Sequence, residues 1–278
     1  MRVLDLFSGI GGFSLGLERA GFTTVAFCEI EPYPRAVLRK HWPNVPIYDD
    51  VRTLTAERLR ADGISVEVIC GGFPCQDISN AGKRAGIEGE RSGLWSEFAR
   101  LIGELRPCYA IVENVAALLG GGIERVCGDL ASIGYDAEWN VVSAADLGAW
   151  HERERVWIIA YPMREGLEGL WSAKHVQQEI ALARNTRFAA DSPRWAWLRG
   201  IWEQGLSARL DGIPDRPTWA GQQWPETESV ICRMDDGIPD RVGRTSSQGN
   251  AVIPQIPEMI GRAILADEAN RGCKAMNP

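Results

Sequence analysis

Residues 3–20 read Val-Leu-Asp-Leu-Phe-Ser-Gly-Ile-Gly-Gly-Phe-Ser-Leu-Gly-Leu-Glu-Arg-Ala, an apolar run that passes through a glycine turn into an amphipathic segment. We predict a strand over Val3–Phe7 and a helix over Phe13–Ala20. Gly9 and Gly11 allow a tight turn and a close approach of the backbone to a ligand, and the helix amino terminus offers N–H groups to it. An ordinary strand–turn–helix unit would show the same pattern, because the full G-x-G-x-x-G motif is absent.

The alternation of short apolar runs with amphipathic segments continues to about residue 160. Further strands are predicted at Thr24–Cys28, Val66–Cys70, Ala110–Val112, Glu138–Val142 and Val156–Ala160. Further helices are predicted at Arg35–His41, Leu94–Leu105 and Ile123–Ile133. Strands that alternate with helices favour an α/β fold, so we predict a Rossmann-like, doubly wound and mostly parallel sheet.

The character of the sequence changes after residue 161. Residues 162–245 hold six of the 11 tryptophans, show no sustained periodicity and contain the hexapeptide DGIPDR twice, at 211–216 and 236–241. We predict a second, smaller, loop-rich domain here, since two copies are too few for a solenoid. Regular periodicity returns near the end, where a closing helix is predicted over Ile253–Ala269.

Composition excludes several classes of protein. The formal net charge of −7 excludes a basic coat for nucleic acid and a polybasic binder of membrane surfaces, but it leaves room for a locally basic cleft. The seven cysteines are an odd number without tight spacing, which is untypical of a secreted disulfide framework. No stretch approaches the ~18 apolar residues of a membrane span. We therefore expect a cytoplasmic protein with free thiols.

One cysteine lies in a setting that favours chemistry. Residues 71–76 read Gly-Gly-Phe-Pro-Cys-Gln and directly follow the third predicted strand. Ligands of open α/β sheets bind at the carboxyl ends of the strands, so this loop, which presents Cys75, is well placed. Cys70, at the strand end, suits the commoner role of a small buried apolar residue. A metal site is disfavoured, because no second Cys or His pair stands at ligand spacing.

Charged residues end or begin three other predicted strands. Glu29 follows the second strand, 18 residues after Gly11, where doubly wound folds bind a ribose. Glu113 ends the strand that begins at Ala110, and partial burial would raise its pKa and suit it to donate a proton. Arg153 and Arg155 are predicted to project from one face of a strand and to form a positive pocket. Each group taken alone is also typical of a solvated surface charge.

Together and in this order, these motifs resemble the cytosine-C5 DNA methyltransferase family, S-adenosylmethionine-dependent enzymes of bacterial or phage type with the class I methyltransferase fold. The matching segments are DLFSGIGG from Asp5, GGFPCQ from Gly71, Glu-Asn-Val from Glu113, Arg-x-Arg from Arg153 and QGNAVIP from Gln248. The resemblance covers residues 1–160 and about 246–270. It departs at residues 148–151, Gly-Ala-Trp-His, where the family has Gly-x-Pro-Gln or Gly-x-Pro-His.

The resemblance implies an active enzyme that transfers a methyl group from S-adenosylmethionine to C5 of a cytosine flipped out of a duplex. Cys75 would add to C6 of the ring, and Glu113 would protonate or hydrogen-bond N3. Arg153 and Arg155 would hold the cytosine O2 or a nearby phosphate and favour the thiolate. The implied cofactor contacts are Phe7, Gly9, Gly11, Glu29, Asp50, Pro74, Leu94 and Asn250, and no metal is implied.

The resemblance also implies a division of labour along the chain. Residues 1–161 would form the catalytic and cofactor-binding domain and 162–245 the target-recognition domain. Residues 246–278 would pack their helix back on the catalytic domain. The implied partner is double-stranded DNA with a short recognition sequence, which a monomer would bind. The resemblance is also consistent with a cognate restriction endonuclease that acts on the same site. The candidate DNA-facing cluster is Arg184, Arg187, Arg194 and Arg199.

The sequence leaves three other functions open. An RNA cytosine methyltransferase could use the same catalytic residues, since the fold does not determine the polymer. A catalytically silent DNA-binding regulator could retain the fold, although Cys75, Glu113 and Arg153 are all present. A small-molecule pyrimidine enzyme could also add a thiolate to its substrate, but the region rich in Arg and Trp would then have no role.

Overall fold

The computed structural model describes residues 1–74, 94–147, 153–163 and 249–271. Within these ranges seven strands form one sheet, and they are β1 (Arg2–Leu6), β2 (Thr23–Cys28), β3 (Ile47–Tyr48), β4 (Val68–Gly72), β5 (Tyr109–Val115), β6 (Tyr135–Val142) and β7 (Arg155–Pro162). Their order is β3-β2-β1-β4-β5-β7-β6. The first five strands in this order, β3, β2, β1, β4 and β5, are parallel to one another. β7 runs antiparallel to both β5 and β6. The predicted mostly parallel sheet is confirmed.

Helices connect the strands of this sheet. They are α1 (Gly12–Ala20), α2 (Pro32–His41), α3 (Ala56–Ala61), α4 (Leu94–Leu105), α5 (Ile123–Ser132) and α6 (Gln255–Arg271). All strands and helices predicted within the described ranges are present, with their ends shifted by up to three residues. Among the strands and α-helices, β3 and α3 were not predicted, because both are too short to show a period. The closing helix begins at Gln255, two residues after its predicted start.

Alternate residues along the central strands face two separate apolar cores. In β4, Ile69 packs into the core that contains Phe98 of α4, whereas Val68 and Cys70 face the core that contains Ile260 of α6. Successive side chains of a strand point to opposite faces, so a strand buried on both sides is apolar throughout. The sheet is therefore covered on both faces, as predicted, and Cys70 has the buried role expected of it.

The C-terminal segment approaches α1 at backbone distance. A Cβ atom added to Gly16 would lie 2.2 Å from the carbonyl oxygen of Pro254, and one added to Gly12 would lie 2.4 Å from that of Val252. Side chains at these two positions would push the segment away. Glycine spacing along α1 therefore allows α6, which begins directly after Pro254, to pack against the first helix of the chain.

Several predicted features lie outside the described residues. They are Cys75, residues 148–151, both DGIPDR copies, the arginine cluster and almost all of the predicted recognition domain at 162–245. In the ranges that the structure describes, no helix is both long and apolar enough to cross a membrane. Over the same residues, no group of His, Cys, Asp and Glu side chains could hold a metal ion.

Candidate active site

The carboxyl ends of β4 and β5 bring Glu113 next to the loop that leads to Cys75. Gly72 and Glu113 are paired in the parallel ladder between these strands. A Cβ atom on Gly72 would lie 2.6 Å from Oε2 of Glu113, so glycine at this position leaves room for the carboxyl group. The side chain of Glu113 is 14% exposed, and its Oε1 lies 3.0 Å from Nε of Arg155. A carboxyl group and a guanidinium group therefore meet at the sheet edge predicted to carry the chemistry.

Burial and two nearby arginines shift the pKa of Glu113 in opposite directions. Loss of solvent raises the pKa of its carboxyl group above the ordinary value of 4.5, whereas the charges of Arg155 and Arg153 lower it, and burial has the larger effect. Glu113 therefore keeps its proton to a higher pH than a surface glutamate does. This is the behaviour expected of a residue that donates a proton.

Asn114, the next residue of β5, anchors the loop from the inside. Its Nδ2 donates a hydrogen bond of 3.1 Å to the carbonyl oxygen of Phe73, and its Oδ1 accepts one of 2.9 Å from the backbone N–H of Val115. Phe73 lies two residues before Cys75, so Asn114 fixes the backbone that leads to the cysteine. Sequence reasoning missed this role, although a polar residue between apolar strand residues was a usable signal.

The two arginines of the Arg-x-Arg motif have different surroundings. β7 begins at Arg155, and Arg153 precedes it with a φ of 39°, so the prediction that both side chains project from one strand is wrong. Arg155 pairs with Glu113. The guanidinium of Arg153 instead donates hydrogen bonds of 2.7 and 2.8 Å to the carbonyl oxygens of Gly249 and Ala251.

Glu29 and the glycine turn, predicted separately, lie side by side. The N–H of Gly9 donates to Oε2 of Glu29 over 2.7 Å, and the N–H of Glu31 donates to Oε1 over 2.8 Å. Glu29 is only 7% exposed, and burial raises its pKa even though the backbone N–H groups oppose this. The adjacency of β1 and β2 produces this contact, because both strands end at the same edge of the sheet.

The two glycines of the turn differ in what surrounds them. Both have positive φ angles, 53° at Gly9 and 86° at Gly11, which favour glycine. Among the described residues, a Cβ atom on Gly9 would meet nothing within 4 Å, whereas one on Gly11 would lie 2.6 Å from the ring of Trp42. Gly9 therefore borders open space beside Glu29. Gly11 is required for close packing against Trp42, whose Nε1 donates to Glu18.

The other predicted cofactor residues are placed less closely together. Asp50 follows β3 and forms an ion pair of 2.8 Å with Arg52. The hydrogen bonds that Arg52 donates lower the pKa of the Asp50 carboxyl group. Asn250 is exposed, and Leu94 is the first residue of α4. Pro74 is the last described residue before Cys75, and Phe7 adopts a φ of 51° at the end of β1.

Asp5 is a buried acid that sequence reasoning did not single out. It lies in β1 with no exposed surface, and its Oδ2 accepts a hydrogen bond of 2.7 Å from Oγ of Ser14 in α1. Burial raises its pKa to about 8, although hydrogen bonds from Ser14 and Cys70 oppose this. Ser8 at the glycine turn donates to the Asp5 carbonyl oxygen over 2.6 Å. Asp5 therefore ties the strand before the turn to the helix after it.

This burial predicts a pH dependence of stability that Asp5→Asn removes. An unfolded Asp5 loses its proton near pH 3.8 and the folded one near pH 8, so the folded state binds the extra proton between these values. Stability then falls as the pH rises through this window, by up to about 1.4 kcal/mol per pH unit. The free energy of unfolding, measured with urea from pH 5 to pH 9, should depend less on pH in Asp5→Asn than in the unsubstituted protein. The exposed Asp49→Asn serves as control, and equal slopes for Asp5→Asn and the unsubstituted protein would contradict the assignment.

Comparison with known proteins identifies the family to which this site belongs. The model of the C-5 cytosine-specific DNA methylase family matches residues 1–193. The chain belongs to this family. Among curated relatives, this DNA methylase chain is 35% identical over 222 residues to the Type II methyltransferase M2.BsuMI of Bacillus subtilis. The match covers 77% of the chain and 55% of that relative. The chain spans about half the length of the curated relatives it matches.

Solved structures show that the methylase chain has the expected fold. A candidate DNA modification methyltransferase encoded within an E. coli prophage matches with a TM-score of 0.50 and 31% identity, over 58% of this chain and 47% of that one. The Dnmt2 methyltransferase of S. pombe matches with a TM-score of 0.52 and 23% identity, over 64% and 54%. The predicted Rossmann-like class I methyltransferase fold is confirmed.

Proposed function

We propose that this chain transfers a methyl group from S-adenosylmethionine to C5 of a cytosine in duplex DNA, through a covalent bond between Cys75 and C6. The observation that carries the proposal is the buried carboxyl group of Glu113, held by Arg155 and packed against Gly72, three residues before Cys75. The match to the C-5 cytosine-specific DNA methylase family supports DNA as the substrate.

The residues at the sheet edge supply what this reaction requires. Carbon 5 of cytosine is a poor nucleophile, but addition of a thiolate to C6 turns the ring into an enamine whose C5 can attack a methyl group. Glu113 gives a proton or a hydrogen bond to N3 as negative charge develops on the ring. Arg155 holds Glu113 and stabilises that charge. After methylation, loss of the proton from C5 allows the sulfur to leave as thiolate.

The neighbouring residues fit a nucleoside cofactor. Bound S-adenosylmethionine would supply the electrophilic methyl group. Glu29 has carboxylate lone pairs left for two ribose hydroxyls after it accepts the N–H groups of Gly9 and Glu31. Within the part of the chain that the structure describes, no atom would lie within 4 Å of a Cβ at Gly9, beside that carboxylate. We propose that the remaining cofactor contacts come from Phe7, Gly11, Asp50, Pro74, Leu94 and Asn250.

We also propose that residues 162–245 select the DNA sequence and that the target cytosine leaves the stack. A stacked base cannot reach a carboxyl group as deeply placed as Glu113, so flipping the nucleotide is required. Ten of the 11 basic residues of this region are arginines, and arginine can bind guanine through two hydrogen bonds in the major groove. We expect the protein to be paired with a restriction endonuclease that recognises the same DNA sequence.

The test compares nucleic acids as methyl acceptors. DNA from cells that express the protein is analysed by methylation sequencing, and the purified protein is given labelled S-adenosylmethionine with duplex DNA or with transfer RNA. We expect 5-methylcytosine in one short sequence context of the DNA and label in the duplex only. Label in transfer RNA alone would establish the RNA enzyme instead. Binding to DNA without any transfer would establish the silent regulator.

A further inference from the structure

Arg153 connects two parts of the chain that lie almost a hundred residues apart. Its two terminal guanidinium nitrogens donate to the carbonyl oxygens of Gly249 and Ala251, over 2.7 and 2.8 Å. These are the residues on either side of Asn250. Charge-assisted hydrogen bonds are stronger than neutral ones, and the planar fork of arginine can hold two acceptors at once. The backbone around Asn250 is therefore fixed from both sides by one side chain.

The same short segment is anchored a second time by α1. The carbonyl oxygens of Val252 and Pro254 lie so close to Gly12 and Gly16 that no side chain would fit at either glycine. α1 directly follows the glycine turn that contacts Glu29. The segment of residues 249–254 thus lies between Arg153 on one side and the helix of the glycine turn on the other.

The contacts of Arg153 differ from those of Arg155 in a way that separates their roles. Arg155 forms an ion pair with Glu113, whereas both terminal nitrogens of Arg153 are directed at backbone carbonyls. Arg153 also adopts a φ of 39°, in the left-handed region that costs energy for any residue other than glycine. Such a conformation persists only where the surrounding structure requires it.

We propose that Arg153 is a positioning residue that holds the backbone on both sides of Asn250 and thereby sets the affinity of the protein for its methyl donor. The affinity part rests on the proposed function, because it takes S-adenosylmethionine as the ligand beside Asn250. The two hydrogen bonds from Arg153 to the carbonyl oxygens of Gly249 and Ala251, here called the clamp, do not depend on which ligand the protein binds. Arg153 therefore acts on the reaction through the C-terminal segment and makes no contact with the cytosine.

Two variants and a matched control test this role. Arg153→Met keeps most of the side-chain length but removes every donor, and Arg153→Lys keeps the charge but has a single ammonium group in place of the planar fork. Arg106→Met is the control, because Arg106 also has a positive φ of 51° and also donates to a backbone carbonyl, that of Ile133. It precedes β5, at the edge of the sheet opposite the candidate site.

The first readout separates cofactor affinity from turnover. Calorimetric titration with S-adenosylmethionine should show a Kd raised about tenfold by Arg153→Met, less by Arg153→Lys and not at all by Arg106→Met. At saturating cofactor, kcat should change by less than about threefold, since the reacting groups are intact. Asn250→Ala should raise Kd as well, and adding Arg153→Met to it should have little further effect. Independent, multiplicative effects, or an unchanged Kd with a lower kcat, would overturn the proposal.

The second readout needs no ligand. Hydrogen–deuterium exchange of the backbone amides of residues 249–253 should be at least about tenfold faster in Arg153→Met than in the unsubstituted protein or in Arg106→Met. Unchanged exchange in this segment overturns the clamp, whatever the protein binds. If the unsubstituted protein binds no S-adenosylmethionine, the proposed function fails, and the exchange experiment still decides whether Arg153 holds the segment.

Discussion

Replacing Cys75 with alanine is expected to abolish methyl transfer to duplex DNA. Without the sulfur no bond can form to C6, so C5 of the cytosine stays a poor nucleophile and the carboxyl group of Glu113 has no developing charge to neutralise. The measurement is incorporation of labelled methyl groups, in a single turnover, into a duplex that carries the sequence identified by methylation sequencing. We expect no product above background.

The control for this substitution is Cys127→Ala, which removes a half-buried thiol from α5. Cys127→Ala should leave the rate of methyl transfer unchanged. This result would show that removing a thiol elsewhere in the protein does not abolish the reaction. A duplex with 5-fluorocytosine at the target position gives a second readout, because the fluorine at C5 cannot leave as a proton does. The unsubstituted protein should form a complex with this duplex that survives denaturation, and Cys75→Ala should not. Turnover by Cys75→Ala would contradict the mechanism.

Replacing Glu113 with glutamine is expected to lower the rate of methyl transfer by roughly 10²- to 10⁴-fold, the usual contribution of a positioned acid or base. Glutamine has nearly the same size, so it fits beside Gly72, but it cannot give up a proton. Burial raises the pKa of Glu113, so the acid form is lost only as the pH rises through that higher value. The rate of the unsubstituted protein should therefore fall on the alkaline side of its pH profile, and Glu113→Gln should lack this fall.

Glu67→Gln is the matched control for this prediction. Glu67 also pairs with an arginine, since its Oε2 lies 3.1 Å from Nε of Arg2, but it precedes β4 at the opposite edge of the sheet. The rate of Glu67→Gln should stay within about twofold of the unsubstituted protein. A Glu113→Gln protein that methylates DNA at the full rate would show that the carboxyl group does not assist at N3.

The sequence predicted six of the seven described strands and most helices, because burial leaves a recognisable pattern of apolar residues. Strands buried on both faces are apolar at every position, as in residues 68–70 of β4, and such runs stand out against the amphipathic helices between them. The two-residue β3 was missed, because a period cannot be read from so short a segment. The positions of Glu29 and the glycine turn at the ends of their strands were also predicted from sequence, and because parallel strands end at one edge, the structure brings the two together.

The sequence could not predict contacts that depend on where a distant segment returns. Arg153 and Arg155 looked equivalent two residues apart, and their roles divide only because the carbonyls of Gly249 and Ala251 come within reach of one of them. Likewise, the close approach of the Pro254 carbonyl oxygen to Gly16 depends on a segment more than 200 residues further along the chain.

The sequence by itself determined the order of the elements, the parallel core of the sheet and the identity of the residues at its carboxyl edge. Periodicity and local motifs carry that information, because each depends on neighbours a few residues away. Only the tertiary structure decided which charged groups meet, that Glu113 is buried beside Gly72 and that Asn114 holds Phe73 in place. Burial and charge proximity depend on contacts between segments far apart in the chain, and these set the pKa of Glu113 and the position of Asn250.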